Sequence, residues 1–326
     1  MSSLFDLAAL ERAHGLVLSA MPATAQYAWP LLAQRTGCEV WLKHENHTPT
    51  GAFKARGALV YLAELSRSGA LPARMITATR GNHGQSIPYA AARFGVPVTV
   101  LVPEGNSVEK NRAMRGWGAT VEVFGRDFDE ARVEAARRAQ ADGQLFVPSY
   151  HPALVSGVAT YAYELFTAVT DLHTVYVPIG MGSGICGVIR TRDLLGLRTE
   201  VVGVVAAGAP AYELSFQAGR VVETPSARTF ADGIACRAPL PEVVDIVCRG
   251  AARVVSVTDA EIAVAMRACF QDTHNVAEGA GAAALAALMK EQTTQRGRKV
   301  AAILTGGNVD TDVFCQVLSG TTPVVA

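Results

Sequence analysis

KHENHTPTGAFKARG, residues 43–57, sets two histidines around a glutamate and then a lysine, Lys54, between Phe53 and Arg56. Two chemistries compete for this stretch. In one, His44, Glu45 and His47 hold a metal; in the other, Lys54 is a reactive amine and the histidines are bystanders. The zinc-protease helix spaces its histidines four apart so that both rings share a face. Here they stand three apart, and Pro49 and Gly51 follow at once, which argues against a continuing helix. Lys54 comes after TPTG, which reads as a turn and helix start with Thr50 as the expected N-cap. A lysine in a helix's first turn opposes the macrodipole, and Phe53 offers it an apolar wall. Both effects lower the pKa of an amine and favour its use as a nucleophile. On its own, a helical lysine reads as a solvated surface charge, so the rest of the chain has to decide.

The chain has 326 residues, more than one ordinary domain, so two lobes or one large α/β unit are expected. Half of the residues are apolar and 18% are charged, which suits a large buried core and excludes general disorder. Formal net charge is zero, with basic and acidic residues interspersed, so no nucleic-acid or anionic-membrane surface is expected. Six cysteines lie far apart with no CxxC, the pattern of single buried thiols in a reducing compartment. The N-terminus has no basic-then-apolar signal, and no uncharged apolar run approaches the ~20 residues of a membrane span. These features predict a soluble cytoplasmic protein.

Short β-branched runs alternate with stretches of helical composition. The runs at 39–43, 75–79, 98–103, 120–125, 174–179, 200–206 and 299–305 are nearly continuous in apolarity, as strands buried on both faces of a parallel sheet require. Helices are expected at 52–66, 85–94, 128–141 and 154–168, giving βαβ units and a sheet covered on both sides. Ligands of such sheets sit beyond the carboxyl ends of strands, at helix N-termini. Three strand ends carry glycine: TATRGNHGQS, VPIGMGSGICG and LTGGNVD. Gly180, Met181, Gly182, Ser183 and Gly184 open a helix and can turn backbone N–H groups onto a phosphate. That loop lacks a Walker lysine and misses the G-x-G-x-x-G spacing, so a tight turn is its bland alternative. A lysine together with a phosphate loop points to pyridoxal phosphate held as a Schiff base.

TGAFKARGA resembles the lysine motif of the serine/threonine dehydratase and serine racemase group, among the fold-type II (tryptophan-synthase-like) pyridoxal-phosphate enzymes. The resemblance runs from PLLAQRTGCEVWLKHENHTPTGAFKARGA to LTGGNVD, in the expected order over nearly the whole chain. It implies an α/β fold of two open, mostly parallel sheets flanked by helices, with the cofactor in the cleft between lobes. It also implies a large domain of residues 1–50 and 148–326, an inserted small domain of 51–147, and no C-terminal regulatory domain. Lys54 matches the Schiff-base lysine and Phe53 the aromatic beside the cofactor. RGNHGQ resembles the substrate-carboxylate loop, which assigns Thr79, Arg80, Gly81, Asn82 and His83 to the substrate and has Asn82 also bond the cofactor's 3′-oxygen. GMGSG matches the tetraglycine phosphate loop, with Met181 and Ser183 in place of two glycines. Gly233, Glu278 and Thr305 match positions that approach the cofactor ring, Thr305 at its pyridine nitrogen.

The resemblance implies a lyase acting on a 3-hydroxy-L-amino acid of the threonine or serine type, with phenylserine and 3-hydroxyaspartate open, and releasing a 2-oxo acid and ammonia. It also implies a homodimer. Racemases of the group have a serine where this chain has Arg80, so racemisation is disfavoured. No metal is expected, because Ala207 stands where an acidic ligand would, leaving Glu213 alone. The competing readings are β-replacement, a non-catalytic pyridoxal-phosphate binder, and a zinc hydrolase built on His44 and His47.

Overall fold

The computed structural model describes residues 4–324. Its helices are α1 (Leu7–Leu18), α2 (Pro30–Thr36), α3 (Lys54–Arg67), α4 (Asn82–Ala91), α5 (Val108–Gly116), α6 (Phe128–Asp142), α7 (Pro152–Ala168), α8 (Ser183–Leu194), α9 (Ala211–Ala218), α10 (Pro241–Gly250), α11 (Asp259–Thr273), α12 (Gly279–Lys290), α13 (Gln292–Gln295) and α14 (Thr311–Leu318). The strands are β1 (Gln26–Ala28), β2 (Glu39–His44), β3 (Met75–Ala78), β4 (Val98–Val102), β5 (Thr120–Val123), β6 (Leu145–Phe146), β7 (Thr174–Pro178), β8 (Glu200–Ala206), β9 (Arg253–Val257) and β10 (Lys299–Leu304). They form two sheets, one of order β1-β2-β10-β7-β8-β9 and one of order β5-β4-β3-β6. Every pairing is parallel except β1 with β2. The fold is thus an α/β structure with two mostly parallel sheets.

All seven expected strands form; β3 and β7, apolar on both faces, are buried at every position, whereas β5 (TVEV) at the edge of its sheet is not. The strands absent from the sequence reading are β1, β6 and β9. The first two have only three and two residues, and β9 (RVVSV) mixes polar with apolar residues at an edge. Two helix starts differ from expectation. Thr50 does not cap α3: the hydroxyl of Thr48 closes the preceding turn by accepting the Ala52 N–H at 2.9 Å, and Phe53 stands at the N-cap without a side-chain bond. The helix expected at 85–94 begins at Asn82, so Asn82 and His83 occupy its first turn and not a loop.

Helix α7 is buried at 13 of its 17 positions and packs between α3 and α8, which makes it the central pillar beneath Lys54. Four charges are sealed where β2, α3 and α7 meet. Arg56 bonds Glu45 at 2.7 and 3.0 Å and Glu164 at 2.7 and 2.8 Å, and it also reaches the hydroxyls of Thr160 and Thr24. The ammonium of Lys43 bonds Glu164 at 2.6 Å, the Thr24 carbonyl and the Gln26 side chain, which uses all three of its donors. Arg56, Glu45 and Lys43 are fully buried. Glu45, from the opening motif, therefore serves Arg56.

Candidate functional site

The carboxyl ends of β3, β7 and β10 and the start of α3 converge on one cleft. Lys54 is the first residue of α3, where the helix dipole disfavours its charge. Its ammonium lies 5.0 Å from the centre of the Phe53 ring. Enclosure by protein draws its pKa down to about 8, against a smaller upward pull from Glu278. Phe53 is held in turn against Tyr161, with ring centres 6.1 Å apart at a near-perpendicular angle.

The glycine-rich turn after β7 leads directly into α8, as its sequence predicts. Gly182 is the N-cap, in the left-handed region at φ +97°, and the first N–H groups of α8 have no partner within the helix. Gly180 touches the Gly233 segment so closely that a Cβ on it would lie 2.2 Å from the Gly233 carbonyl oxygen. A Cβ on Gly182 would lie 2.3 Å from Val243, so this glycine answers to the packing of α10 as well as to any phosphate. Met181 packs partly buried against the core, Ser183 is buried, and the Gly184 carbonyl accepts from the Tyr161 hydroxyl at 3.3 Å.

Across the cleft, Asn82 is fixed from both ends of its amide. Its Nδ2 donates to Glu278 at 2.6 Å, and its Oδ1 accepts from Asn308 at 2.8 Å. Asn308 also donates to the Thr50 carbonyl, tying the turn before Lys54 to the same network. A Cβ on Gly51, which sits at φ +69°, would lie 2.5 Å from the Asn308 Oδ1. Glu278 is buried and its pKa is raised, chiefly by loss of solvent, with Lys110 and Asn82 opposing. Thr305 is buried at the end of β10, and its carbonyl accepts from the Phe53 N–H at 3.0 Å.

In the TRGNH segment, Thr79 is buried and accepts the Gly81 N–H at 3.0 Å, and His83 is buried. Arg80 is different: its side chain is 44% exposed and lies 3.7 Å from Asp232 on the opposite wall. A second cation at the segment is Lys110 of α5, whose side chain runs along Gly81 and bonds Asp232 at 3.0 Å. Burial opposes its charge, but Asp232, Glu278 and Asp310 outweigh that, and its pKa is raised. Asn308 stood in a motif already singled out; Lys110 sits in an unremarkable helix and gave no signal.

The histidines of the opening motif are engaged elsewhere. His44 accepts from the Trp29 indole at 3.0 Å and stacks on His47, which bonds Asn275 at 2.7 Å. Glu213 accepts from Ser256. Among the described residues, no group of three or more His, Cys, Asp or Glu side chains could hold a metal ion.

A half-buried amine with a lowered pKa, on one cavity with Ser183 where α8 begins with unpaired N–H groups, fits an aldehyde cofactor that carries a phosphate. Comparison with known proteins agrees. Residues 21–306 match the family described as pyridoxal-phosphate dependent enzyme. An L-threonine ammonia-lyase of Geobacter sulfurreducens is 37% identical over 287 residues, 88% of this chain and 71% of that protein. Among solved structures, threonine deaminase isoform 2 of Solanum lycopersicum superposes with a TM-score of 0.87 at 27% identity, over 98% of this chain and 95% of that one. Maize serine racemase does so with 0.88 at 25% identity, over 96% and 97%. The chain belongs to the pyridoxal-phosphate dependent enzymes, in the fold-type II group whose lysine motif it carries.

Proposed function

We propose that the chain is an ammonia-lyase acting on a 3-hydroxy-L-amino acid, threonine or serine in type, which it converts to a 2-oxo acid and ammonia. The observation that carries this reading is the placing of Lys54 at the start of α3, with its amine 5.0 Å from the Phe53 ring centre and on one small cavity with Ser183 at the start of α8. Bound cofactor supplies an electron-withdrawing ring conjugated to the substrate's α-carbon. The chain's residues do the rest. Lys54 removes the α-proton, near its operating pH for a base. The N–H groups at residues 180–184 hold the phosphate, and Asn82, positioned by Glu278 and Asn308, has a second amide N–H free for the cofactor's oxygen. Thr305, buried just beyond β10, would offer the bound ring a hydroxyl and not a carboxylate, the weaker support for electron withdrawal and the one that suits prompt loss of a β-hydroxyl. The N–H groups opening α4 suit the substrate carboxylate.

Racemisation is the second reading, raised by the likeness to serine racemase. Arg80, half-exposed and directed at Asp232, supplies no neutral proton carrier opposite Lys54. Within the proposal, the small lobe is residues 51–147 and the large lobe the remainder, and the enzyme is a cytoplasmic homodimer, as in the family resemblance. No helix among the described residues is long and apolar enough to cross a membrane. The test is release of 2-oxo acid and ammonia across 3-hydroxy amino acids of both C3 configurations. Turnover of at least one, lost in Lys54→Ala, is expected. A cofactor-loaded protein inert to all of them would reduce the chain to a pyridoxal-phosphate binder.

A further inference from the structure

Behind Lys54 lies a small cavity of about 10 Å³, whose polar wall is Lys54, His83, Ser149 and Ser183 and whose apolar wall includes Gly57 and Leu154. That is the space of one water-sized group, too small for a cofactor and the right size for the end of an amine. His83 is 5% exposed, and its Nε2 has no hydrogen-bond partner. In the neutral tautomer with its proton on Nδ1, the ring presents this unpartnered Nε2 as an acceptor. Burial first, and the Lys54 charge second, hold this imidazole at a pKa of about 3. Its place in the first turn of α4 works in the same direction. A buried acceptor without a partner is costly, and the only charged donor on its cavity is Lys54.

We propose that His83 is a positioning residue for Lys54: its Nε2 accepts one N–H of the lysine amine when that amine, released from cofactor, turns into the cavity they share, and so aims the nitrogen's lone pair back toward the cleft. The proposal rests on the reading of Lys54 as the base. When Lys54 takes the α-proton, the proton passes from carbon to Nζ, and the resulting ammonium keeps its bond to Nε2. The proton goes no further, because a neutral imidazole with so low a pKa does not hold it. His83 therefore orients the base and supports its charged form without competing for the proton. This is a different role from contact with the substrate carboxylate, which falls to the backbone of the same segment.

Two measurements on cofactor-free protein test it. The ¹⁵N resonance of His83 Nε2 should shift with pH about a midpoint near 8, following Lys54, and the shift should vanish in Lys54→Met. A resonance that is flat from pH 6 to 10 would overturn the proposal without any change at His83. In the second, the rate of pyridoxal phosphate uptake is followed against pH. His83→Phe removes the acceptor and should lower the midpoint by about one pH unit, the size expected for a hydrogen bond to a charged group. His83→Gln keeps an acceptor and should stay near the wild-type midpoint. A folded His83→Phe protein with an unmoved midpoint would overturn the proposal, and if that variant does not fold the resonance decides. Neither measurement needs lyase turnover. Failure of the lyase reading would appear as an absence of oxo acid from every substrate, with these titrations intact.

Discussion

Replacing Arg56 with leucine should unfold the region beneath Lys54 first. The wild-type guanidinium makes six bonds, all buried, to Glu45, Glu164, Thr24 and Thr160. Its removal leaves two carboxylates and one cation. Glu164 keeps Lys43 at 2.6 Å, but Glu45 retains only the Thr24 hydroxyl at 2.6 Å. One uncompensated buried carboxylate costs about 3–5 kcal/mol. At roughly 2 °C per kcal/mol for a chain of this length, the unfolding midpoint should fall by roughly 6–10 °C. Calorimetry on cofactor-free protein at one scan rate is the assay, since ligand binding would otherwise mask the change. A second substitution sharpens it: Glu45→Gln in the Arg56→Leu background removes the stranded charge and should restore at least about 1 kcal/mol, roughly 2 °C. If Arg56→Leu moves the midpoint by less than about 2 °C, or Glu45→Gln lowers it further, the quartet is not the anchor described. Arg56 lies two residues beyond Lys54 in the same helical turn, so cofactor affinity should weaken in step with stability.

Two further outcomes are expected. Cofactor-free protein should take up pyridoxal phosphate faster as pH rises to about 8 and level off above it, because only the neutral amine attacks; a midpoint near 10 would mean that Lys54 is solvated. The lowered pKa also means that the unfolded chain binds more protons between about 8 and the ordinary lysine value, so stability should rise with pH across that window and not fall. Gly182→Ala should weaken cofactor affinity severalfold, measured by titration, because the residue sits at φ +97° and its Cβ would meet Val243 at 2.3 Å. Trimming the obstacle with Val243→Ala should recover only part of that loss, since the backbone strain remains.

The strands were legible because burial on both faces leaves a run of apolar residues that no polar alternation interrupts; β3 and β7 are the clearest cases. What escaped was short or mixed: β6 has two residues, and β1 is stitched onto β2 by register alone. In the site, Asn82 and the 180–184 turn stood out in the local sequence because glycine follows a strand end there, and Lys54 because of the turn-and-helix start around it. Lys110, Ser149 and Asp232 did not. Their importance comes from tertiary approach, across 122 positions of sequence between Lys110 and Asp232. The reading of Gly182 also needed the fold: sequence suggested room for a phosphate, whereas the neighbour that forbids a side chain is Val243. Thr50 shows the same limit on a smaller scale, because two threonines flank Pro49 and it is Thr48 that closes the turn.

Besides the buried Arg56 bonds and the Asn82 network, polar contacts between the two sheet-bearing halves are made by partly exposed side chains. Ser107 bonds Asp310 at 2.5 Å, Glu109 accepts the Thr311 N–H at 3.1 Å, Lys110 meets Asp232, and Arg237 meets Asp129 at 3.0 Å. Behind Lys54 the joint is of another kind, a buried one: Arg56 of α3 bonds Glu164 of α7, and the helices meet closely at glycine, where a Cβ on Gly157 would lie 2.4 Å from the Arg56 carbonyl oxygen and one on Gly57 2.8 Å from that of Leu154. Partly exposed ion pairs contribute about 0–1 kcal/mol each, whereas close apolar packing is lost all at once when it is disturbed. The back of the cleft is therefore the firm side and its mouth the weak one. Lys54, His83 and the α8 N-terminus stand on the firm side, where their geometry is fixed by packing. Arg80, Lys110 and Asp232 stand on the weak side, where contacts can be exchanged for those of an arriving amino acid at little energetic cost.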